Sequence, residues 1–260
     1  MTVEPENKQL TTLKIIHITD THLLNRANDT FYGFNTRNSF EKVVRKSLAD
    51  YPDADCILLT GDISQNGEIH SYRQLRSIIE QIGIPVYAVP GNHDSPQFLQ
   101  QILDNCPDQS ISVVNRFAYP LVLISSWKQG THQGEVSAQS LRQLNNYLTT
   151  CTHDLVIMGM HHPPVPTGSE WLDKLGLENY RELLQLMNNS SKNIIMLCGH
   201  IHQTLEVQMK NVQILATPST CHQFEPLAKQ MAIDESKPPA FRIIKIRNSK
   251  LVESKISYVE

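Results

Sequence analysis

The chain has 260 residues, 40% hydrophobic and 19% charged, with a formal net charge of -3, a composition that supports one sizeable soluble core. A pI near 6.4 without Lys/Arg clusters argues against nucleic-acid binding as the main activity and points to a small substrate. No segment approaches the roughly 18 apolar residues of a membrane span, and the opening MTVEPENKQL has neither the basic start nor the apolar run of a secretory signal, so a cytosolic protein with no membrane partner is expected.

Short apolar runs alternate with amphipathic stretches. LKIIHIT (13–19) reads as a buried strand, and SFEKVVRKSLAD (39–50) as a helix whose apolar residues return every three or four positions. DCILLTG (55–61) and IPVYAVPG (84–91) are further strands, with the helical SYRQLRSIIEQI (71–82) between them. Val114 to Leu123 alternates as a strand would, so no linker divides the chain near its middle and one domain over 1–260 is expected. Then come YPLVLISS (119–126), the helical SAQSLRQLNNYLTT (137–150), LVIMGMH (155–161), the helical ENYRELLQLMNN (178–189) and NIIMLCG (193–199). Strands alternating with helices imply an α/β layered fold. After His202 the texture changes: 204–218 reads as a hairpin turning at Lys210 and Asn211, and 241–259 as another turning near Asn248 and Ser249. Gln223 to Ala240, with Pro226, Pro238 and Pro239, reads as a loop or lid. Five scattered cysteines without a C-x-x-C pair argue against a disulfide framework and a zinc ribbon.

The unusual polar residues stand where buried strands end: Asp20-Thr21-His22, Gly61-Asp62, Gly91-Asn92-His93-Asp94, His161-His162 and Gly199-His200-Ile201-His202. Strand ends along one edge of an α/β sheet gather ligand groups, so five blocks become one site. In extended chain, Asp20 with His22 and His200 with His202 would point the same way. Carboxylate, imidazole and amide donors without thiolate suit Mn, Fe, Co or Zn.

The order D-x-H, G-D, G-N-H-D, H, G-H-x-H resembles the calcineurin-like metallophosphoesterase superfamily in every block from Asp20 to His202. CGHIHQ (198–203) with LATPSTCHQF (215–224) further resembles the bacterial class III cyclic nucleotide phosphodiesterases. The resemblance implies a four-layer αββα sandwich of mixed sheets, with antiparallel strands in the C-terminal half. It puts Asp20, His22 and His202 on one metal ion and Asn92, His161 and His200 on the other, with Asp62 bridging. Two divalent or mixed-valence ions follow, with Fe or Mn favoured and Zn or Co as alternatives. The implied reaction is hydrolysis of 3′,5′-cyclic AMP to 5′-AMP by an activated water attacking in line with the departing 3′-oxygen, with His22, Asp62, Asn92, His93 and His202 meeting the substrate. His93 is the expected catalytic group for phosphoryl charge or the leaving oxygen, oriented by Asp94. The same metal core also serves 2′,3′-cyclic nucleotides and other small phosphodiesters, and a non-catalytic nucleotide sensor would keep the pocket but lack a ligand. The oligomeric state is open.

His70, His132 and His153 read as solvated surface residues, His17 as a hydrogen-bonded core histidine, and His162 as pointing away from the cavity. Trp171 and His222 read as packing residues rather than base-stacking ones.

Overall fold

The computed structural model describes residues 12–103, 106–107 and 110–260; the N-terminal decapeptide read above lies outside them. In chain order the first half carries β1 (Thr12–Ile18), α1 (Thr36–Asp50), β2 (Cys56–Thr60), α2 (Ile69–Ile79), β3 (Val86–Val89), α3 (Pro96–Gln100), β4 (Ile111–Val114) and β5 (Leu121–Ile124). The second half carries α4 (Ala138–Thr150), β6 (Leu155–Gly159), α5 (Glu170–Asp173), α6 (Tyr180–Asn189), β7 (Asn193–Cys198), β8 (Leu205–Met209), β9 (Val212–Ala216), β10 (Ala240–Arg247) and β11 (Lys250–Tyr258).

Two mixed sheets form, ordered β11-β10-β1-β2-β3 and β4-β5-β6-β7-β9-β8. Strand periodicity splits each run of apolar residues between two environments. In β1, Ile16 and Ile18 face Phe40 and Val43 of α1 and Tyr72 and Leu75 of α2, whereas Leu13 and Ile15 face Leu123, Ile157 and Leu197 of the other sheet. The second sheet turns Val156, Met158, Ile194 and Met196 toward Leu144 of α4 and Leu183 and Met187 of α6. The layers are therefore helix, sheet, sheet, helix, the expected αββα sandwich. Asn35 and Ser137 start α1 and α4 by accepting the N–H groups of Asn38 and Ser140, satisfying donors that a helix end leaves open.

Both expected hairpins form, and Asn248 and Ser249 take φ of 52° and 58°, the left-handed pair that a tight two-residue turn demands. Val114 to Leu123 is not one strand. β4 ends at Val114 and returns antiparallel as β5 from Leu121, and Pro120, which has no N–H for a ladder, instead accepts the Ile157 N–H. The 223–240 segment is irregular until β10 begins at Ala240, yet it is pinned at its base: the Gln223 amide donates to Ser219 and Pro238 carbonyls. Buried Cys56, Cys198 and Cys221 behave as small core residues, their thiols pushed up by burial, Cys221 to about 12. Among the described residues no helix is long and apolar enough to cross a membrane.

The parallel strands β1, β2 and β3 of one sheet and β5, β6, β7 and β9 of the other run outward to a common loop cluster, which holds every polar block singled out in the sequence.

Candidate metal centre

The loops after β1, β2 and β3 bring Asp20, His22, Asp62 and Asn92 from the first sheet; those after β6 and β7 bring His161, His200 and His202 from the second. Asp20, His22 and His202 form one group of donors within 4.8 Å, and Asp20, Asp62 and His161 another that overlaps it. His202 Nε2 stands 3.4 Å from Asp20 Oδ1 and 3.1 Å from His22 Nε2. Asn92 Oδ1 lies 3.1 Å from His161 Nε2 and 3.0 Å from His200 Nδ1. Between these groups, Asp62 Oδ2 is 3.4 Å from His161 Nε2 and 3.9 Å from His22 Nε2.

Extended backbone is not what aims these side chains. Asp20, His22, Asp62, His200 and His202 all have positive φ, between 45° and 70°, because their strands have already ended. Left-handed backbone is strained for residues with a side chain, least so for Asp, Asn and His, and concentrates at functional sites. The neighbouring glycines are steric necessities. A Cβ on Gly91 would sit 2.2 Å from Asp62 Oδ1, and one on Gly199 1.9 Å from Thr19 Oγ1.

Hydrogen bonding behind the rings fixes which nitrogen faces inward. His161 Nδ1 donates to Thr60 O at 2.7 Å, His202 Nδ1 to His222 O at 2.8 Å and His22 Nδ1 to Gln65 Oε1 at 2.7 Å. In each neutral ring Nε2 then carries a lone pair. His22 Nε2 and His202 Nε2 face each other at 3.1 Å with no proton to share, and His161 Nε2 faces the acceptor Asn92 Oδ1. Such opposed lone pairs are satisfied by a cation between them, so the donor set fits a pair of metal ions.

Electrostatics agree. Burial pushes the His22 pKa down to about 3 against the pull of Asp62, and burial with neighbouring imidazoles puts His200 well below the usual range, so both stay neutral and able to ligate. Burial would raise the Asp62 pKa, but His161 and His93 hold it well below the carboxylate range. At His161 burial is overcome by Asp62 and Asp20, and its pKa rises to about 9, so with no cation beside it the ring takes a second proton on Nε2, the place a metal ion would fill.

Other residues divide. His93 Nδ1 donates to Gln65 O at 2.9 Å, leaving Nε2 toward the pocket. Asp94 does not orient His93. Its Oδ1 accepts from Ser64 N–H and Tyr72 O–H, its Oδ2 from Ile63 N–H and Gly91 N–H, at 2.9 to 3.1 Å, so it ties the Asp62 loop to the Asn92 loop. His132, expected to be mere surface, lines the pocket and accepts from Asn92 Nδ2 at 3.1 Å, turning Asn92 Oδ1 toward His161. Its place after β5, a strand ending at the same edge, was the available signal. His162 is not in a strand: its ring packs 4.3 Å from that of His200, held by Ser126 Oγ and His132 O. His17 is a core residue, 2.8 Å from Thr60 Oγ1 and 2.7 Å from Thr217 Oγ1, its pKa lowered to about 3 by burial and Arg242. His70 and His153 are exposed, whereas Trp171 and His222 line the pocket.

With this geometry in place, residues 13–204 match the model of the calcineurin-like phosphoesterases. The chain belongs to that family. Among relatives, the 3′,5′-cyclic-nucleotide phosphodiesterase of Nostoc sp. (strain PCC 7120) is 32% identical over 90% of this phosphoesterase and 88% of its own length. The 3′,5′-cyclic adenosine monophosphate phosphodiesterase CpdA of Pseudomonas aeruginosa is 31% identical over 95% and 90%. A dimetal phosphatase from Danio rerio superposes with a TM-score of 0.67 at 14% identity, covering 96% of this phosphoesterase and all of that chain (100%). A purple acid phosphatase from yellow lupin (Lupinus luteus) seeds gives 0.65 at 14% identity, over 95% of this phosphoesterase and 54% of that chain. At these identities the solved structures share the fold.

Proposed function

We propose that this phosphoesterase hydrolyses 3′,5′-cyclic AMP to 5′-AMP at a pair of metal ions, and that it works in the cytosol. The observation that carries the reading is the set of inward lone pairs, arranged in two groups about Asp62, in a family whose relatives of matching length are named cyclic-nucleotide phosphodiesterases. Asp20, His22 and His202 would hold one ion, Asn92, His161 and His200 the other, and Asp62 both. Nitrogen and oxygen donors without thiolate suit iron, manganese, zinc or cobalt, and the family resemblance favours the first two. When bound, such ions stabilise phosphoryl charge as Lewis acids and lower the pKa of a water to about 7.

The chain supplies the rest. Thr60 O, His222 O and Gln65 Oε1 hold three imidazoles by their outer nitrogens, so the donors are positioned before substrate arrives. His93 reaches the pocket from beside Asn92, and with Nδ1 donating to Gln65 O it can give a proton to phosphoryl or leaving oxygen only as the doubly protonated imidazolium, through Nε2. His93→Ala is expected to lower kcat for cyclic AMP by about 10² to 10⁴-fold, the range of a positioned proton donor, without loss of bound metal. Steady-state kinetics with metal analysis checks it; unchanged kcat removes His93 from the mechanism.

The reading itself is tested by stripping the protein with a chelator and reloading it separately with Mn, Fe or Zn. Turnover of cyclic AMP, cyclic GMP, 2′,3′-cyclic AMP and an aryl phosphate is then compared. Formation of 5′-AMP that depends on added metal is expected. Cyclic AMP that binds under every metal without yielding 5′-AMP would sink the enzymatic reading in favour of a sensor.

A further inference from the structure

The pocket over the metal centre, about 270 Å³, has two unlike walls. Gln65, His93 and His132 make one polar; Phe31, Tyr32, His222, Phe224, Trp171 and Met231 make the other aromatic and apolar. Most of the aromatic wall has a packing task. Phe31 stacks on the His22 ring with centroids 5.5 Å apart, Phe224 stacks on His202 at 4.3 Å, and Trp171 meets Phe224 edge-on at 4.8 Å.

Tyr32 packs only in part. Its side chain is among the large hydrophobic groups left exposed, at 56%, although its ring stands 4.6 Å from Phe31 and 5.2 Å from His222. Phe31 and Phe34 exchange both backbone hydrogen bonds at 2.9 Å around a two-residue turn, Tyr32 at φ 49° and Gly33 at φ 83°. Two positive φ values mark a type I′ turn, whose first central position favours Asn, Asp or Gly and strains an aromatic residue. Backbone strain that sets a flat ring at the mouth of an active site and leaves more than half of the residue exposed is a sign of use rather than of packing alone.

We propose that Tyr32 is the platform on which the nucleobase of the substrate stacks, making it a specificity-determining residue. This rests on the cyclic-nucleotide reading above. With the phosphate drawn to the metal centre, the base meets the aromatic wall, because a nucleobase is a planar π surface that stacks on aromatic rings whatever its edge groups. The polar wall is left to the phosphoryl and leaving oxygens.

The test compares wild type, Tyr32→Asn and Tyr32→Phe, each loaded with manganese, on cyclic AMP and on abasic ribose 3′,5′-cyclic phosphate, together with thermal unfolding. Asparagine suits the turn, which offsets the lost ring contacts, so Tyr32→Asn is expected to stay folded while its KM for cyclic AMP rises about ten-fold relative to its KM for the abasic ester. Tyr32→Phe keeps the ring and restores the wild-type ratio. An unchanged ratio in Tyr32→Asn, with cyclic AMP still hydrolysed by wild type, overturns the platform alone. If wild-type enzyme yields no 5′-AMP from cyclic AMP, the functional reading falls, and the platform with it.

Discussion

Asp62→Asn is expected to lower turnover of cyclic AMP by about 10³-fold or more, the loss of roughly 4 kcal/mol of transition-state stabilisation that a misplaced metal pair implies. The carboxylate is used on both sides. Oδ1 accepts the His93 backbone N–H at 2.9 Å, while Oδ2 faces His161 and His22. An asparagine amide has one oxygen. Turned toward the imidazoles, its NH₂ blocks a lone-pair site with donor hydrogens; turned away, it confronts the His93 N–H, and in either orientation the negative charge is gone. Metal content per chain and initial rates measured together decide it. Two bound ions with a rate within ten-fold of wild type would remove Asp62 from its bridging place.

Asp94→Asn is expected to be strongly destabilising although it leaves every proposed metal ligand intact. Four donors converge on the Asp94 carboxylate, two on each oxygen, and the group is buried. Whichever way an asparagine amide is turned, two of those donors lose their acceptor and face another donor. At about 1 to 3 kcal/mol for each buried group left unsatisfied, the expected cost is about 2 to 6 kcal/mol. For a chain of this size that is a fall in Tm of roughly 4 to 24 °C. Because the same oxygens tie Ile63 and Ser64 to Gly91, metal affinity should weaken too. A thermal unfolding curve coincident with wild type would show that the carboxylate is dispensable.

The alternation of strands and helices and the five polar blocks were readable from sequence for one reason, whereas the seven proposed donors and the four-layer order came from the family resemblance. Buried parallel strands give short, nearly all-apolar runs, and polar residues such as Asp20, Asp62 and His200 immediately beyond them have no structural excuse. What those runs do not encode is the path of the chain after a strand ends. Asp20 and His22 converge through left-handed backbone, a conformation to which period-two reasoning is blind. Long-range partners were equally hidden. Asp94 stands beside His93 in sequence, but its acceptors serve donors from 22 to 31 positions away as well as Gly91, and His132 meets Asn92 across 40 positions. The alternation from Val114 to Leu123 misled because a polar-apolar rhythm continues through a bend that Pro120 helps to close.

The seam between the two sheets runs through the site, and each proposed ion takes donors from both: His22 and His202 on one side, Asn92 and His161 on the other. The ions would thus act as rivets across the interlayer gap, a gap kept narrow where Gly159 lets the Leu58 side chain approach to 3.1 Å of its would-be Cβ. A ligand that binds only the native fold adds stability by mass action, about 4 kcal/mol at a thousand times its Kd. Sliding one layer over the other would stretch both rivets at once. Resistance to heat in this protein would therefore double as a gauge of how fully the proposed metal centre is loaded.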